Sequence, residues 1–156
     1  MDAHYYNVNV TWNKDRKGMM CSPELKPDGS TEACIEVATP PQFPKGVKGV
    51  WSPEHLFTAA VASCFMTTFL AIAENSKLNF KSFKCESKGK LDQLENKLAM
   101  TEIKLYPTVV LYGNEDRERA LRVLTKTETA CLITNSIKTK VSLYPSIETI
   151  ANPVKS

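Results

Sequence analysis

The sequence predicts an α+β domain with the element order β-β-β-α-β-β-α-β. Three observations carry that prediction. Residues His4 to Trp12 alternate, with His4, Tyr6, Val8, Val10 and Trp12 pointing one way and Tyr5, Asn7, Asn9 and Thr11 the other. That is the period of a half-buried strand. Leu56 to Ala73 form eighteen residues without a charge, behind a helix-starting Ser52-Pro53-Glu54. Two strand-like stretches, Asn79–Leu91 and Leu98–Tyr112, then precede a second helical pattern and a last strand.

Each element has its own local signal. The polar run Asn13–Gly18 reads as a turn into a short second strand near Met19–Ser22. Pro27-Asp28-Gly29-Ser30 is a turn by its residue types, and strand character resumes over Ala33–Thr39. Pro40, Pro41, Pro44, Gly46 and Gly49 mark a surface loop. Ser52 then suits the N-cap, Pro53 the first helical position and Glu54 the positive end of the helix dipole. The uncharged run that follows is long enough for a membrane span. Thr58, Ser63, Thr67 and Thr68, with abundant alanine and no basic anchor on the N-terminal side, argue instead for a helix buried on all sides in protein. A lone chain of 156 residues has little with which to surround such a helix. A close homodimer is therefore expected, with Ala59, Ala60, Ala62 and Ser63 letting backbones approach. In Leu98–Tyr112, Thr101, Ile103, Leu105, Val109 and Leu111 share a face, and Pro107 suggests an edge or a bulge. Gly113-Asn114 opens the second helix, on which Ala120, Leu124, Thr127 and Cys131 fall at helical spacing. Thr139–Tyr144 is the last strand. No repeat or long linker divides the chain, so residues 1–156 are expected to form one domain with a loose tail from Ala151.

Composition narrows the function. Hydrophobic residues at 42% and charged residues at 24% argue against a disordered chain. Twenty basic against seventeen acidic residues leave +3 with no block of either sign, which argues against a dedicated nucleic-acid binder. The N-terminus has no basic stretch followed by an apolar core, so no secretory signal is visible and a cytoplasmic protein is expected. Five cysteines and two histidines, with no CxxC spacing or Cys/His cluster, argue against a disulfide scaffold and a zinc site. A cysteine is then a candidate for chemistry.

Cys64 lies mid-helix in SPEHLFTAAVASCF. An unpaired cysteine on an apolar helix is most often a small hydrophobe, and reactivity needs a neighbour that lowers its pKa. This run is similar to the cysteine-helix motif of the OsmC/Ohr hydroperoxide reductases: asparagine-proline-glutamate-x-leucine-phenylalanine, small residues, then cysteine-phenylalanine. Cys131-Leu132-Ile133-Thr134-Asn135 resembles that family's cysteine-proline-x-serine-asparagine segment, with Leu132 where proline is usual and Thr134 where serine is usual. Asp15-Arg16-Lys17-Gly18 looks like the turn that carries the family's active-site arginine.

The resemblance implies an OsmC-like fold, an intertwined homodimer and a peroxidase that reduces organic hydroperoxides to alcohols. It assigns Cys64 as the peroxidatic cysteine, Cys131 as the resolving one, and Arg16 and Glu54 as the polar pair around the thiolate. It needs no metal or flavin, and implies an external dithiol of the lipoyl kind as reductant. Ten residues on one helix separate Glu54 from Cys64 by about 15 Å. If both serve one site, Glu54 must come from the partner chain. Phe57, Phe65, Met66 and Phe69 are the candidates for an apolar substrate pocket, with core packing the commoner role for most of them. His55 is read as a surface or interface residue, and Cys21, Cys34 and Cys85 as structural or incidental thiols. No role is evident for Thr125, Thr127 and Thr129. The competing reading is a non-catalytic OsmC-like protein that holds a small apolar ligand, or senses oxidant, at the dimer interface. Acyl transfer by Cys64 is a third, disfavoured because no histidine is placed as its base.

Overall fold

Three strands pair in sequence order at the start of the chain: β1 (Asn9–Lys14), β2 (Lys17–Ser22) and β3 (Ala33–Ala38), all antiparallel. The structure, a computed structural model, describes residues 1–150, and the tail from Ala151 that was expected to be loose lies outside them. The chain divides into two compact units, Met1–Leu56 and Phe57–Ser156.

In the first unit, a two-residue tip, Asp15-Arg16, joins β1 to β2, with Lys14 opposite Lys17. Gly18 is needed beside it, because a Cβ there would lie 2.6 Å from the Thr11 carbonyl oxygen. The first strand departs from expectation in two ways. It starts at Asn9 rather than His4, and all six of its residues are exposed instead of alternating. Within this unit nothing covers the face that carries Val10 and Trp12, 65% and 73% exposed.

The cysteines of this sheet also overturn an expectation. Cys21 and Cys34 are joined by a disulfide with a Cα–Cα distance of 4.2 Å. They are direct partners in the β2–β3 register, so strand pairing itself brings the two thiols together. The loop before the long helix is tied back to β3, with Ala38 N–H donating to Trp51 O at 2.9 Å and Val47 N–H to Thr39 O at 2.9 Å.

Helix α1 (Pro53–Asn75) starts as expected, with Ser52 Oγ accepting the His55 backbone N–H at 3.2 Å. In the second unit, the long hairpin β4 (Phe80–Leu94) and β5 (Lys97–Leu111) forms the sheet, and two short strands run parallel to β5. These are β6 (Lys140–Leu143), beside Glu102–Leu105, and β7 (Ser146–Thr149), beside Thr108–Leu111. The second of them was not anticipated. Pro107 falls in the gap between the two partners, the place on β5 where a missing N–H costs no bond. It is neither an edge nor a bulge.

Helix α2 (Arg117–Ala130) begins after a 3-10 turn over Asn114–Asp116, slightly later than its acidic start suggested. A short α3 (Leu132–Asn135) follows it. The core joins Val61, Phe65, Phe69 and Ala73 of α1 to Ile103, Leu105, Val109 and Leu111 of β5 and to Ala120, Val123 and Leu124 of α2. Phe69 stacks on Phe83 at 4.5 Å and meets Phe80 edge-on at 5.3 Å.

The buried positions of α1 are spaced four apart, so they make one stripe rather than a full circumference. Met66 and Leu70 remain 40% and 42% exposed. In the single chain one sheet and one helix cover only one face of α1, so burial on all sides would take the second copy that the sequence reading expects. By length and composition alone, Pro53–Asn75 could cross a membrane. Its packed stripe makes it the central helix of the second unit's core.

Candidate active site

Cys64 lies on α1 one position before the buried Phe65, which leaves its sulfur at the margin of the core and half-buried. Cys131 is fully buried. It ends α2 by turning extended (φ −64°, ψ 104°) and thereby starts α3. Its N–H donates to Thr127 O at 3.0 Å, and its carbonyl accepts Asn135 N–H at 3.0 Å. Asn135 Nδ2 donates to Thr129 O at 3.0 Å, closing the short turn. Thr134, where serine was expected by resemblance, still supplies its hydroxyl, which donates to Cys131 Sγ at 3.3 Å.

These elements bring Cys64 and Cys131 together. Burial pushes the Cys64 thiol up, but four donors outweigh it: the Ile133 N–H, the Cys131 S–H, the Thr68 hydroxyl and the Leu132 N–H. Its pKa is lowered on balance, because hydrogen bonds to the charged form favour that form. The Thr68 hydroxyl is 3.9 Å from the sulfur. Cys131 moves the opposite way. Burial raises its pKa first. Hydrogen bonds from the Thr134 hydroxyl and N–H work against that, and the hydrogen bond it donates to Cys64, with the negative charge there, raises it again, so that on balance it is raised. The pair is therefore asymmetric, with a thiolate-prone sulfur at Cys64 and a proton-holding one at Cys131. Leu132 is an active member of this arrangement: a proline in its place would have no N–H to donate.

The other expected site residues are placed as follows. Arg16 is exposed at the β1–β2 tip and lines a cavity of about 350 Å³ with Trp12, Asp15, Lys17, Val37 and Pro53. Glu54 is half-buried in the first turn of α1. One continuous helix carries both Glu54 and Cys64, so their ten-residue separation holds. Phe65 and Phe69 are 1% and 0% exposed and form the core with Phe83. Phe57 packs against that core, and Met66 points outward. His55 is engaged at the helix cap, with Nδ1 2.7 Å from Ser52 Oγ. Cys85 is half-buried, and burial raises its thiol pKa. Thr125, Thr127 and Thr129 each donate to the carbonyl four residues back, at 3.0, 2.7 and 3.3 Å. Their hydroxyls serve the helix.

The sequence profile of the family described as OsmC-like protein matches residues 46–145, well over half of the chain. The chain belongs to the OsmC-like family. Among curated proteins, this OsmC-like chain is 24% identical over 149 residues to the uncharacterised Bacillus subtilis protein YmaD, covering 92% of this chain and 93% of that one. An OsmC-like protein of unknown function from Vibrio cholerae has a solved structure with TM-score 0.79 and 24% identity, over 92% of this chain and 99% of that one. An organic hydroperoxide resistance protein, OsmC, from Legionella pneumophila gives TM-score 0.70 and 20% identity, over 95% and 99%. At these identities the solved structures establish the shared α+β fold.

Proposed function

We propose that this OsmC-like protein is a thiol-dependent peroxidase for organic hydroperoxides. The observation that carries the reading is the meeting of Cys64 on α1 with Cys131 and the Leu132 and Ile133 N–H groups at the start of α3, an arrangement that favours the thiolate at Cys64 and the thiol at Cys131. The Cys64 thiolate attacks the O–O bond, the alkoxide takes a proton and leaves as the alcohol, and Cys64 becomes a sulfenic acid. Cys131 then attacks that sulfur, its proton and the sulfenic hydroxyl leave as water, and a Cys64–Cys131 disulfide closes. An external dithiol of the lipoyl class returns both thiols by exchange, and the cycle needs no metal or flavin.

Arg16 and Glu54 enter this reading through the family resemblance: a guanidinium stabilises the leaving oxygen and a carboxylate orients it. Phe57 and Met66 are the two pocket candidates left outside the buried core. A homodimer belongs to the same reading, supported by the apolar outer face of α1 at Met66 and Leu70.

The test is titration with cumene hydroperoxide of protein whose Cys64 and Cys131 are reduced while the Cys21–Cys34 disulfide stays closed, followed by non-reducing peptide mapping. One equivalent of peroxide should be consumed per chain, with the Cys64 and Cys131 peptides joined. Cys64→Ser should abolish consumption. Cys131→Ser should allow one event per site and then inactivate as sulfinic acid builds up. Wild-type activity in Cys64→Ser would sink the mechanism. Oxidation of Cys64 without closure of the disulfide would favour a sensor.

A further inference from the structure

Trp12 is a large, exposed aromatic whose polar atom is nonetheless committed. Its indole Nε1–H reaches across the tip of the first hairpin and donates to the Asp15 carbonyl oxygen at 3.1 Å. That carbonyl belongs to the peptide plane between Asp15 and Arg16. The next carbonyl, that of Arg16, accepts the Thr39 N–H at 3.2 Å. Both peptide planes flanking the Arg16 Cα are therefore tied, one by a side chain of β1 and one by the end of β3. Because each plane is rigid, tying both restricts φ and ψ of Arg16 and hence the direction of its side chain.

Asp15 stands at φ 49°, a conformation that a non-glycine residue keeps where contacts hold it. The Arg16 guanidinium makes no hydrogen bond or ion pair among the described residues, so its own charge does not anchor it. Its backbone does that work, at the wall of the 350 Å³ cavity that Trp12 also lines.

We propose that Trp12 is a positioning residue for Arg16, its indole N–H holding the Asp15–Arg16 peptide so that the guanidinium stays at the cavity wall. This rests on the peroxidase reading, in which Arg16 assists the leaving oxygen. Trp12→Phe keeps a ring and deletes the donor. The loss of one hydrogen bond should lower kcat/KM for cumene hydroperoxide about three- to tenfold while circular dichroism stays unchanged. In an Arg16→Ala background the same substitution should have no further effect, since a residue acting through another is not additive with it. A third readout needs no activity: amide hydrogen exchange over residues 13–18 should accelerate in Trp12→Phe by a similar factor.

Additive losses in the double variant, or unchanged exchange at the hairpin tip, overturn the proposal. If Arg16→Ala alone leaves peroxide reduction intact, the catalytic part falls together with the arginine's place in the peroxidase reading. Unaltered exchange would then remove the positioning part as well.

Discussion

Two opposing effects act on the Cys64 sulfur. Burial alone would make it a poor nucleophile, and the donors from Ile133, Cys131, Thr68 and Leu132 reverse that outcome. A lowered pKa means that the thiolate persists below the pH at which an ordinary thiol, with a pKa of about 8.5, has taken up its proton. Alkylation of Cys64 by iodoacetamide should therefore rise with pH to a plateau, with a midpoint below the ordinary one and the rate falling as pH drops through it. Cys131→Ala removes one donor and should move that midpoint upward. A midpoint at or above that of a free thiol, or one indifferent to Cys131, would contradict the arrangement. The other two paired cysteines show a different residue-scale lesson. Cys21 and Cys34 lie six residues before Pro27 and six after Asp28, so the turn centred there sets them opposite each other. That symmetry is the signal in the sequence from which their disulfide could have been inferred.

At the scale of elements, α3 matters most for the chemistry. It is only four residues long, yet its first two positions supply two of the four donors to Cys64. Proline is well tolerated at the first position of a helix, where its missing N–H breaks no intrahelical bond. Leu132→Pro should accordingly fold like wild type while raising the Cys64 alkylation midpoint, because one donor is gone. An unchanged midpoint in a folded Leu132→Pro protein would show that the Leu132 N–H contributes nothing. The 65% exposure of Leu132 makes a loss of core packing an unsuitable explanation for any shift. Pro107 shows the same logic in a strand, since β5 changes parallel partner on either side of it.

For the whole molecule, the unsatisfied feature is the second face of α1. Its packed stripe is complete, and the exposed Met66 and Leu70 are apolar side chains left in water. A second copy covering that face would place the protein at twice its 17.4 kDa chain mass in sedimentation equilibrium. Leu70→Glu, which places a charge in the interface while sparing the buried stripe, should yield the single-chain mass. A monomeric wild type would remove the homodimer and, with it, any site that needs a partner's Glu54.

How much of this was legible follows from the range of each signal. The Ser52 cap, the extent of α1, the inward face of β5 and the candidate cysteines are written locally, in residue types and in periodicity that each segment carries by itself. The motif around Cys131 pointed to its partnership with Cys64, and the structure brings the two sulfurs together. The sequence by itself thus determined the fold class, the order of eight elements from β1 to β6 apart from the short α3, and the cysteines worth testing. Tertiary structure alone decided which stripe of α1 is buried, where β6 and β7 divide β5 between them, and that Phe65 and Phe69 serve the core. It also decided which backbone N–H groups reach Cys64. Those outcomes depend on pairing between segments distant in the chain, where the competing arrangements differ in packing and hydrogen bonding rather than in any local preference.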